Sequence, residues 1–110
     1  PLESVAFHVP CVTTSLSGFG MWANSVKGEF STIMDGVEVI RRTDYNYSEV
    51  ADRIKETVSA FSNLTDKEVE EIRKKAKKLS DKALWKNFIK YYYEAYDIAL
   101  KNRDIRVAQK

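Results

Sequence analysis

The first twenty residues constrain the fold of this chain more than any other stretch. Pro1 suits the first position of a helix, where a missing N–H costs nothing, and Glu3 then lies where the helix dipole favours a carboxylate. Val9-Pro10 predicts the end of this helix, because the residue before a proline avoids the α region. Residues 12–14 (Val-Thr-Thr) predict a strand, and residues 15–20 have the composition of a polar glycine loop. A helix, a strand and a glycine loop in this order indicate part of an α/β unit.

The rest of the chain predicts one more strand and three full helices. Residues 21–36 contain two glycines and no clear period, which predicts a long irregular segment of a kind that is often functional or mobile. Residues 36–40 are rich in β-branched side chains and predict a second strand that ends at Arg41-Arg42. Hydrophobic periodicity predicts three helices after it, at residues 46–63, 65–79 and 85–99.

Capping signals mark the starts of the first two of these helices. Asn46 with Glu49, and Thr65 with Glu68, have the spacing of a capping box, in which each side chain binds the other residue's backbone N–H. Ser80-Asp81 is expected to break or bend the second helix and to cap the third. The polar tail that follows the third helix, from residue 101 onward, is expected to fray.

Composition excludes several classes of function. A chain of 110 residues forms one domain that buries roughly two-thirds of its unfolded surface. Its formal charge of +2 is too small to indicate nucleic acid or a membrane surface as a partner. One cysteine, Cys11, no signal peptide and no long apolar run predict a cytoplasmic location. His8, the only histidine, has no second ligand beside it, so neither a metal site nor a cofactor is predicted.

The start of the chain and its few strands predict a part of a longer protein. Pro1 is preceded neither by a methionine nor by the Ser, Thr or Asp that usually caps a helix. Two strands joined through a crossover do not form a stable parallel sheet alone. We therefore expect a partial α/β domain that is rich in helix, with two or three short parallel strands.

Three strings near the start resemble the C-terminal part of glycogen synthases of the fungal and animal type: Pro1-Leu-Glu3, Val9-Pro-Cys-Val-Thr-Thr14 and Leu16-Ser-Gly-Phe-Gly20. The resemblance continues at Leu79-Ser-Asp81 and Trp85. Such enzymes are retaining glycosyltransferases with two Rossmann-like domains, the GT-B arrangement. The resemblance implies that residues 1–43 end the nucleotide-sugar-binding region of the C-terminal domain and that residues 44–110 form its closing helices.

The same resemblance implies a donor site at the start of the chain. In the family, two glutamates lie eight positions apart; Glu3 matches the second, and the first would lie upstream of Pro1, so no catalytic residue is assigned here. The family implies that the diphosphate of UDP-glucose rests on the helix start, against the backbone of Leu2, and that Glu3 accepts hydrogen bonds from the ribose. The residues alone leave the alternative that Glu3 only complements the helix dipole.

Other polar and aromatic residues have a structural alternative beside the functional one. Ser17 and Gly18 are secondary candidates for an anion-holding loop, although a plain turn is favoured because one glycine-rich loop is weak evidence. His8 near a helix end favours a structural role. Trp22 could stack on a sugar ring, but an aromatic residue in a loop more often anchors packing. Residues 91–93, three consecutive tyrosines, place rings on several faces of one helix and predict an external partner.

The basic run at residues 73–78 is usually a solvated helix face. In eukaryotic members of the family an arginine-rich helix at this place senses a sugar phosphate, and Arg73, Lys75 and Lys78 occupy the corresponding positions. Lysine lacks the planar fork of arginine, so this regulation is not predicted.

The resemblance implies a transferase that moves glucose from UDP-glucose to an α-1,4-glucan with retention of configuration. The chain alone is expected to be inactive and to self-associate through its sheet edge and its tyrosine-rich helix. Two alternatives stay open: a small helical interaction module without a nucleotide site, and a related GT-B enzyme that uses another donor.

Overall fold

The structure, a computed structural model, describes residues 1–110 and contains two strands within a largely helical chain. The elements in chain order are α1 (Leu2–Ala6), β1 (Cys11–Thr14), α2 (Gly18–Lys27), a 3₁₀ turn (Ile33–Asp35), β2 (Val37–Ile40), α3 (Tyr47–Ser62), α4 (Asp66–Asp81) and α5 (Trp85–Ala108). The predicted fold class, α/β with a large share of helix and two short parallel strands, is confirmed.

The two strands form a parallel pair that α2 connects. Cys11 lies opposite Val37 and Thr14 lies opposite Ile40, so the strands are in register over their full length. A parallel pair needs a crossover connection, and α2 supplies it. Every residue of β2 is buried, as expected of a parallel strand that is covered on both faces.

A small core lies between β2 and the helices α1, α2 and α4, and it contains Val5, Ala23, Val37, Val39 and Ala76. Gly36, directly before β2, allows α4 to approach this closely. Its φ of 95° is in the left-handed region, and a Cβ there would lie 2.5 Å from the Ala76 backbone nitrogen. Glycine alone adopts this φ without strain and also has no Cβ to clash with α4.

Helix α1 ends earlier than Val9-Pro10 predicts. His8 adopts a φ of 63°, and the Val9 N–H donates to the Ser4 carbonyl at 2.9 Å. The His8 N–H donates to the Val5 carbonyl at 3.1 Å, which completes the pair of bonds of a Schellman motif. Pro1 lies at the N-cap rather than at the first helical position. The structural role expected of His8 is this left-handed helix end.

The loop predicted at residues 15–20 and the irregular segment predicted at residues 21–36 are wrong over residues 18–27, which form α2, but residues 15–17 and 28–32 lie outside helices and strands as predicted. Its half-buried or buried residues Phe19, Trp22, Ala23 and Val26 do follow helical spacing. The two glycines in its first turn have low helix propensity and hide this period. Tertiary contact explains one of them, because a Cβ on Gly20 would lie 2.2 Å from the Thr14 carbonyl oxygen.

Of the two predicted capping boxes, one is correct. Glu68 N–H donates to Thr65 Oγ1 at 3.2 Å, and Thr65 N–H donates to Glu68 Oε2 at 2.8 Å. Asn46 precedes α3 but does not cap it with its side chain. Its amide is used in the preceding turn instead, where Oδ1 accepts from Thr43 N–H at 2.7 Å and Nδ2 donates to the Arg41 carbonyl at 2.8 Å.

Helix α5 starts at Trp85 as predicted, but its cap and its C-terminal end differ from the prediction. Ser80-Asp81 ends α4, but Leu84 precedes α5 and no side chain caps it. The tail from Lys101 does not fray, because the helix continues to Ala108. No residue of α5 is buried. None of the helices combines the length and apolar character that crossing a membrane requires.

Candidate functional site

The chain order brings the predicted site residues to one edge of the sheet. Helix α2 starts after the carboxyl end of β1, and α1 leads into the opposite end of β1 after the turn at His8, so this chain order is expected to start both helices toward the carboxyl edge. In open parallel α/β sheets, ligands bind outside the carboxyl ends of the strands. Leu2 and Glu3 on α1 and Ser17 and Gly18 at α2 therefore lie on the side where this architecture places a ligand.

The start of α1 has unpaired donors and a free carboxylate. The N–H groups of Leu2, Glu3 and Ser4 have no hydrogen-bond partner in the chain, as expected for the first turn of a helix. Glu3 is exposed, and its side chain makes neither a hydrogen bond nor an ion pair with any other residue. Both predicted contacts are accessible to a ligand, and the dipole alternative for Glu3 remains open as well.

Ser17 has a structural role that its sequence context did not reveal. Its Oγ accepts from Gly20 N–H at 2.9 Å, donates to the Thr14 carbonyl at 3.0 Å and lies 2.9 Å from Thr13 Oγ1. Three neighbours within the chain therefore surround this hydroxyl, which fixes the start of α2. The donors that remain there are the backbone N–H groups of Gly18 and Phe19, and Gly18 is exposed.

Arg42 joins the ends of the two strands, a role that no pattern in the sequence predicts. Its backbone N–H donates to Ser15 Oγ at 3.0 Å, across 27 residues of chain. Its guanidinium donates to the Thr43 carbonyl and to Asn46 Oδ1, the latter at 3.2 Å, and lies 5.9 Å from the centre of the Tyr47 ring. The carboxyl edge therefore carries a cation whose position is fixed by the start of α3.

A second charged group missed from the sequence is Glu38, in the middle of the buried strand β2. Its side chain is 4% exposed; Oε1 accepts from Arg53 Nε at 2.8 Å and Nη2 at 2.7 Å, and Oε2 accepts from Ile33 N–H at 2.7 Å. The hydrogen bonds to this carboxylate raise the pKa of Arg53. Because its oxygens are satisfied within the chain, Glu38 connects β2, α3 and the 3₁₀ turn rather than serving a ligand.

The basic run on α4 divides into two sets. Arg73, Lys74 and Lys77 each lie within 4 Å of a carboxylate on their own helix. Lys75 and Lys78 instead line a cavity of about 230 Å³ between α2 and α4, together with Lys27 and Lys82. Of the three positions matched to the eukaryotic regulatory helix, two therefore share a cavity and Arg73 pairs elsewhere.

One of the lysines that line this cavity, Lys27, forms an ion pair with Asp35, which also lines it. Lys27 Nζ lies 2.5 Å from Asp35 Oδ2. Burial raises the pKa of Asp35, but hydrogen bonds from Lys27 and Thr32 outweigh burial, so the pKa lies below its ordinary value.

Trp22 packs within α2 rather than standing in a loop. It is half-buried, and its ring centre lies 5.8 Å from that of Phe19. This contact favours the packing alternative for Trp22.

The family model described as "Glycogen synthase" matches residues 1–105, from the start of α1 into the last turns of α5. No protein among the curated ones matches the chain.

Proposed function

The chain belongs to the glycogen synthase family, and on this premise we propose that its protein transfers glucose from UDP-glucose to the non-reducing end of an α-1,4-glucan with retention of anomeric configuration. The family is one of glycosyltransferases in glycogen biosynthesis. The observation that carries the proposal is the match over residues 1–105, which includes the helix starts at the carboxyl edge of the sheet.

Glu3 is proposed to hold the ribose of the donor. An ionised carboxylate has two acceptor oxygens and can accept from both hydroxyls of a cis-diol. The exposure of Glu3 and its lack of any partner in the chain support this role, because a ligand would displace no existing contact.

The diphosphate is proposed to lie against the start of α1, with the backbone N–H of Leu2 as one donor. Free N–H groups and the helix dipole favour a phosphate at such a place. Gly18 is the secondary candidate, through its unpaired backbone N–H at the start of α2. Ser17 contributes by fixing that helix start, since its hydroxyl is occupied within the chain.

The reaction breaks the bond between glucose and the diphosphate, and it develops negative charge on the leaving group. N–H donors fixed at the carboxyl edge would stabilise this negative charge on the leaving diphosphate as it develops in the oxocarbenium-like transition state. This chemistry needs a cleft closed by a second domain, and these 110 residues form one wall of it. We therefore expect no incorporation of labelled glucose into glycogen by the 110-residue chain alone.

Titration of the full-length protein with UDP tests the site. Glu3→Ala removes hydrogen bonds to a charged group, each worth about 1.5–3 kcal/mol, so the affinity for UDP should fall about tenfold or more. Glu49→Ala is the matched control, because Glu49 is also an exposed first-turn glutamate without a side-chain partner. Equal UDP affinity in the Glu3→Ala and Glu49→Ala variants would leave only the dipole role for Glu3.

The same titration separates the alternative functions. A helical interaction module without a nucleotide site would bind no UDP at all. A related enzyme with another donor would bind a different nucleotide more tightly than UDP, so ADP and GDP belong in the same series. Retention is tested separately, by determining the anomeric configuration of the newly formed glycosidic bond.

A further inference from the structure

The carboxyl edge of the sheet contains one hydrogen bond that a regular parallel ladder would not have. Continuing the register of the strands by one further step places Ser15 opposite Arg41. In a parallel ladder the Ser15 N–H then donates to the Ile40 carbonyl, and the Arg42 N–H donates to the Ser15 carbonyl. The first bond is present at 2.9 Å, but the acceptor of the second is Ser15 Oγ, at 3.0 Å. The Ser15 hydroxyl thus takes the place of the Ser15 carbonyl in the ladder.

This exchange of acceptors lets the chain leave the sheet without losing a hydrogen bond. A main-chain carbonyl that stays in the ladder keeps its residue extended, whereas a side-chain oxygen leaves the backbone free to turn. The Ser17 N–H donates to the Thr14 carbonyl at 3.2 Å, so Ser15 and Leu16 are the central residues of a tight turn. Helix α2 begins directly after this turn, at Gly18. The Ser15 hydroxyl therefore fixes the point at which the chain turns toward α2.

Serine hydroxyls hold the turn on both of its sides. Ser15 Oγ binds its start to the end of β2, 27 residues later in the chain. Ser17 Oγ binds its end, since it donates to the Thr14 carbonyl at 3.0 Å and accepts from the Gly20 N–H at 2.9 Å. Both serines are half-buried, whereas Gly18 is exposed. The unpaired N–H of Gly18 therefore follows a turn that is fixed entirely by contacts within this chain.

The residue that Ser15 binds is itself held in place. The Arg42 guanidinium donates to Asn46 Oδ1 at 3.2 Å and lies 5.9 Å from the centre of the Tyr47 ring, at the start of α3. Without the Ser15 hydroxyl, the partly buried Arg42 N–H would have no acceptor, which costs free energy. The turn or the end of β2 would then shift to restore a partner, and such a shift moves the start of α2.

We propose that Ser15 is a positioning residue for the leaving diphosphate: by accepting the Arg42 N–H, its hydroxyl sets the position of the Gly18 N–H at the start of α2. This inference rests on the proposed function, in which the diphosphate lies against the helix starts at the carboxyl edge. A donor stabilises developing charge only where it is accurately placed, and a displacement of about 1 Å can cost a hundredfold in rate. Ser15 acts through Gly18, and not on the ribose that Glu3 is proposed to hold.

Titration of the full-length protein with UDP and, separately, with uridine tests this role. Ser15→Ala should lower the affinity for UDP about threefold to tenfold, the scale of one lost hydrogen bond. The affinity for uridine should stay within about twofold of its original value, because uridine contains the ribose but no phosphate. Glu3→Ala should instead lower both affinities, since the ribose is common to the two ligands.

Two further variants separate positioning from a general loss of stability. Ser15→Thr keeps the hydroxyl acceptor and should bind UDP as the unaltered protein does. Ser31→Ala is the matched control, because the buried Ser31 hydroxyl donates to the Val37 carbonyl at 2.7 Å, at the amino end of β2. This control removes a hydrogen bond to the same strand at its opposite end. It should lower the midpoint of thermal unfolding and leave the affinities for UDP and uridine unchanged.

The outcomes separate this role from the proposed function. If the unaltered protein binds UDP and Ser15→Ala binds it equally well, the role of Ser15 is overturned and the proposed function stands. Equal losses of UDP and uridine affinity in Ser15→Ala, or an equal loss of UDP affinity in Ser31→Ala, also overturn the role, because the substitution then acts on the fold in general. If the unaltered protein binds no UDP, the proposed function is contradicted and the role of Ser15 falls with it.

Discussion

Residues 1–81 and helix α5 contain similar apolar side chains but use them in opposite ways. In the first region, Val5, Val37 and Ile72 are fully buried, although the sheet has only two strands. In α5, tyrosine, isoleucine and leucine side chains are about half exposed and no residue is buried. The difference shows that residues 1–81 form the packed part of the chain, with β2 buried along its whole length, and that α5 lies outside this packing.

The two regions differ equally in their charges. The buried carboxylate of Glu38 pairs with the half-exposed Arg53 and connects β2 to α3, whereas Arg103 and Asp104 on α5 form a pair in which both side chains are 65% exposed. A charge removed from water must be paired, while an exposed pair contributes little. Substitutions in the first region should therefore change the stability of the fold more than substitutions in α5.

The largest effect is expected at Gly36. Gly36→Ala introduces a Cβ 2.5 Å from the Ala76 backbone nitrogen, at a φ of 95° that alanine rarely adopts. Overpacking and backbone strain together should lower the free energy of unfolding by about 3 kcal/mol.

Urea unfolding of the Gly36→Ala variant, followed by circular dichroism, measures this loss. Leu100→Ala on α5 serves as the control and should change the free energy of unfolding by less than about 0.5 kcal/mol at low protein concentration. If both substitutions cost the same, the division between a packed region and a projecting helix is wrong.

A smaller effect is expected when the ion pair between the buried Glu38 and Arg53 is broken. Arg53→Ala leaves the Glu38 carboxylate buried with one remaining partner, the Ile33 N–H. We expect a loss of about 2 kcal/mol in the free energy of unfolding, below the full cost for a buried pair because the Arg53 side chain is itself 47% exposed.

Arg103→Ala is the matched substitution on α5 for the ion-pair test. It removes the cation of an exposed pair and should change stability by at most about 0.5 kcal/mol. Thermal or urea unfolding of the Arg53→Ala and Arg103→Ala variants under the same conditions compares the two losses of stability. A loss at Arg103 as large as that at Arg53 would show that α5 is stabilised by contacts that the fold does not contain.

The same contrast explains which parts of the fold the sequence predicts. Both strands are confirmed to within one residue at either end, because β-branched runs bounded by proline and glycine are a local signal. The Thr65 and Glu68 box is also local, and it is confirmed. The sequence does not predict helix α2, because Gly20 has a low helix propensity. This position requires glycine because a Cβ would clash with the Thr14 backbone.

Residues whose role depends on a distant partner were missed for the same reason. In the sequence, Glu38 is one polar residue within a strand. Its carboxylate can be buried because it pairs with Arg53, which lies fifteen residues later in the chain. Asn46 has the spacing of a cap, but the turn before α3 uses its amide first. For the candidate site, the order of the helices and strands is enough to predict that its residues share the carboxyl edge of the sheet. It does not predict that the Ser17 hydroxyl is occupied.

The smallest effect is expected from pH, through the pair of Asp35 and Lys27 at the edge of the packed region. The folded pKa of Asp35 is lowered, so its contribution to stability is complete above the unfolded value of about 4 and is lost as pH falls through the folded pKa. Because the pair is partly exposed, the loss should be about 0.5 kcal/mol. Urea unfolding between about pH 6 and pH 2, the range over which carboxylates titrate, measures this loss. Asp35→Asn should flatten the pH profile by this amount, and a variant profile parallel to the original would show that other carboxylates carry the acid sensitivity.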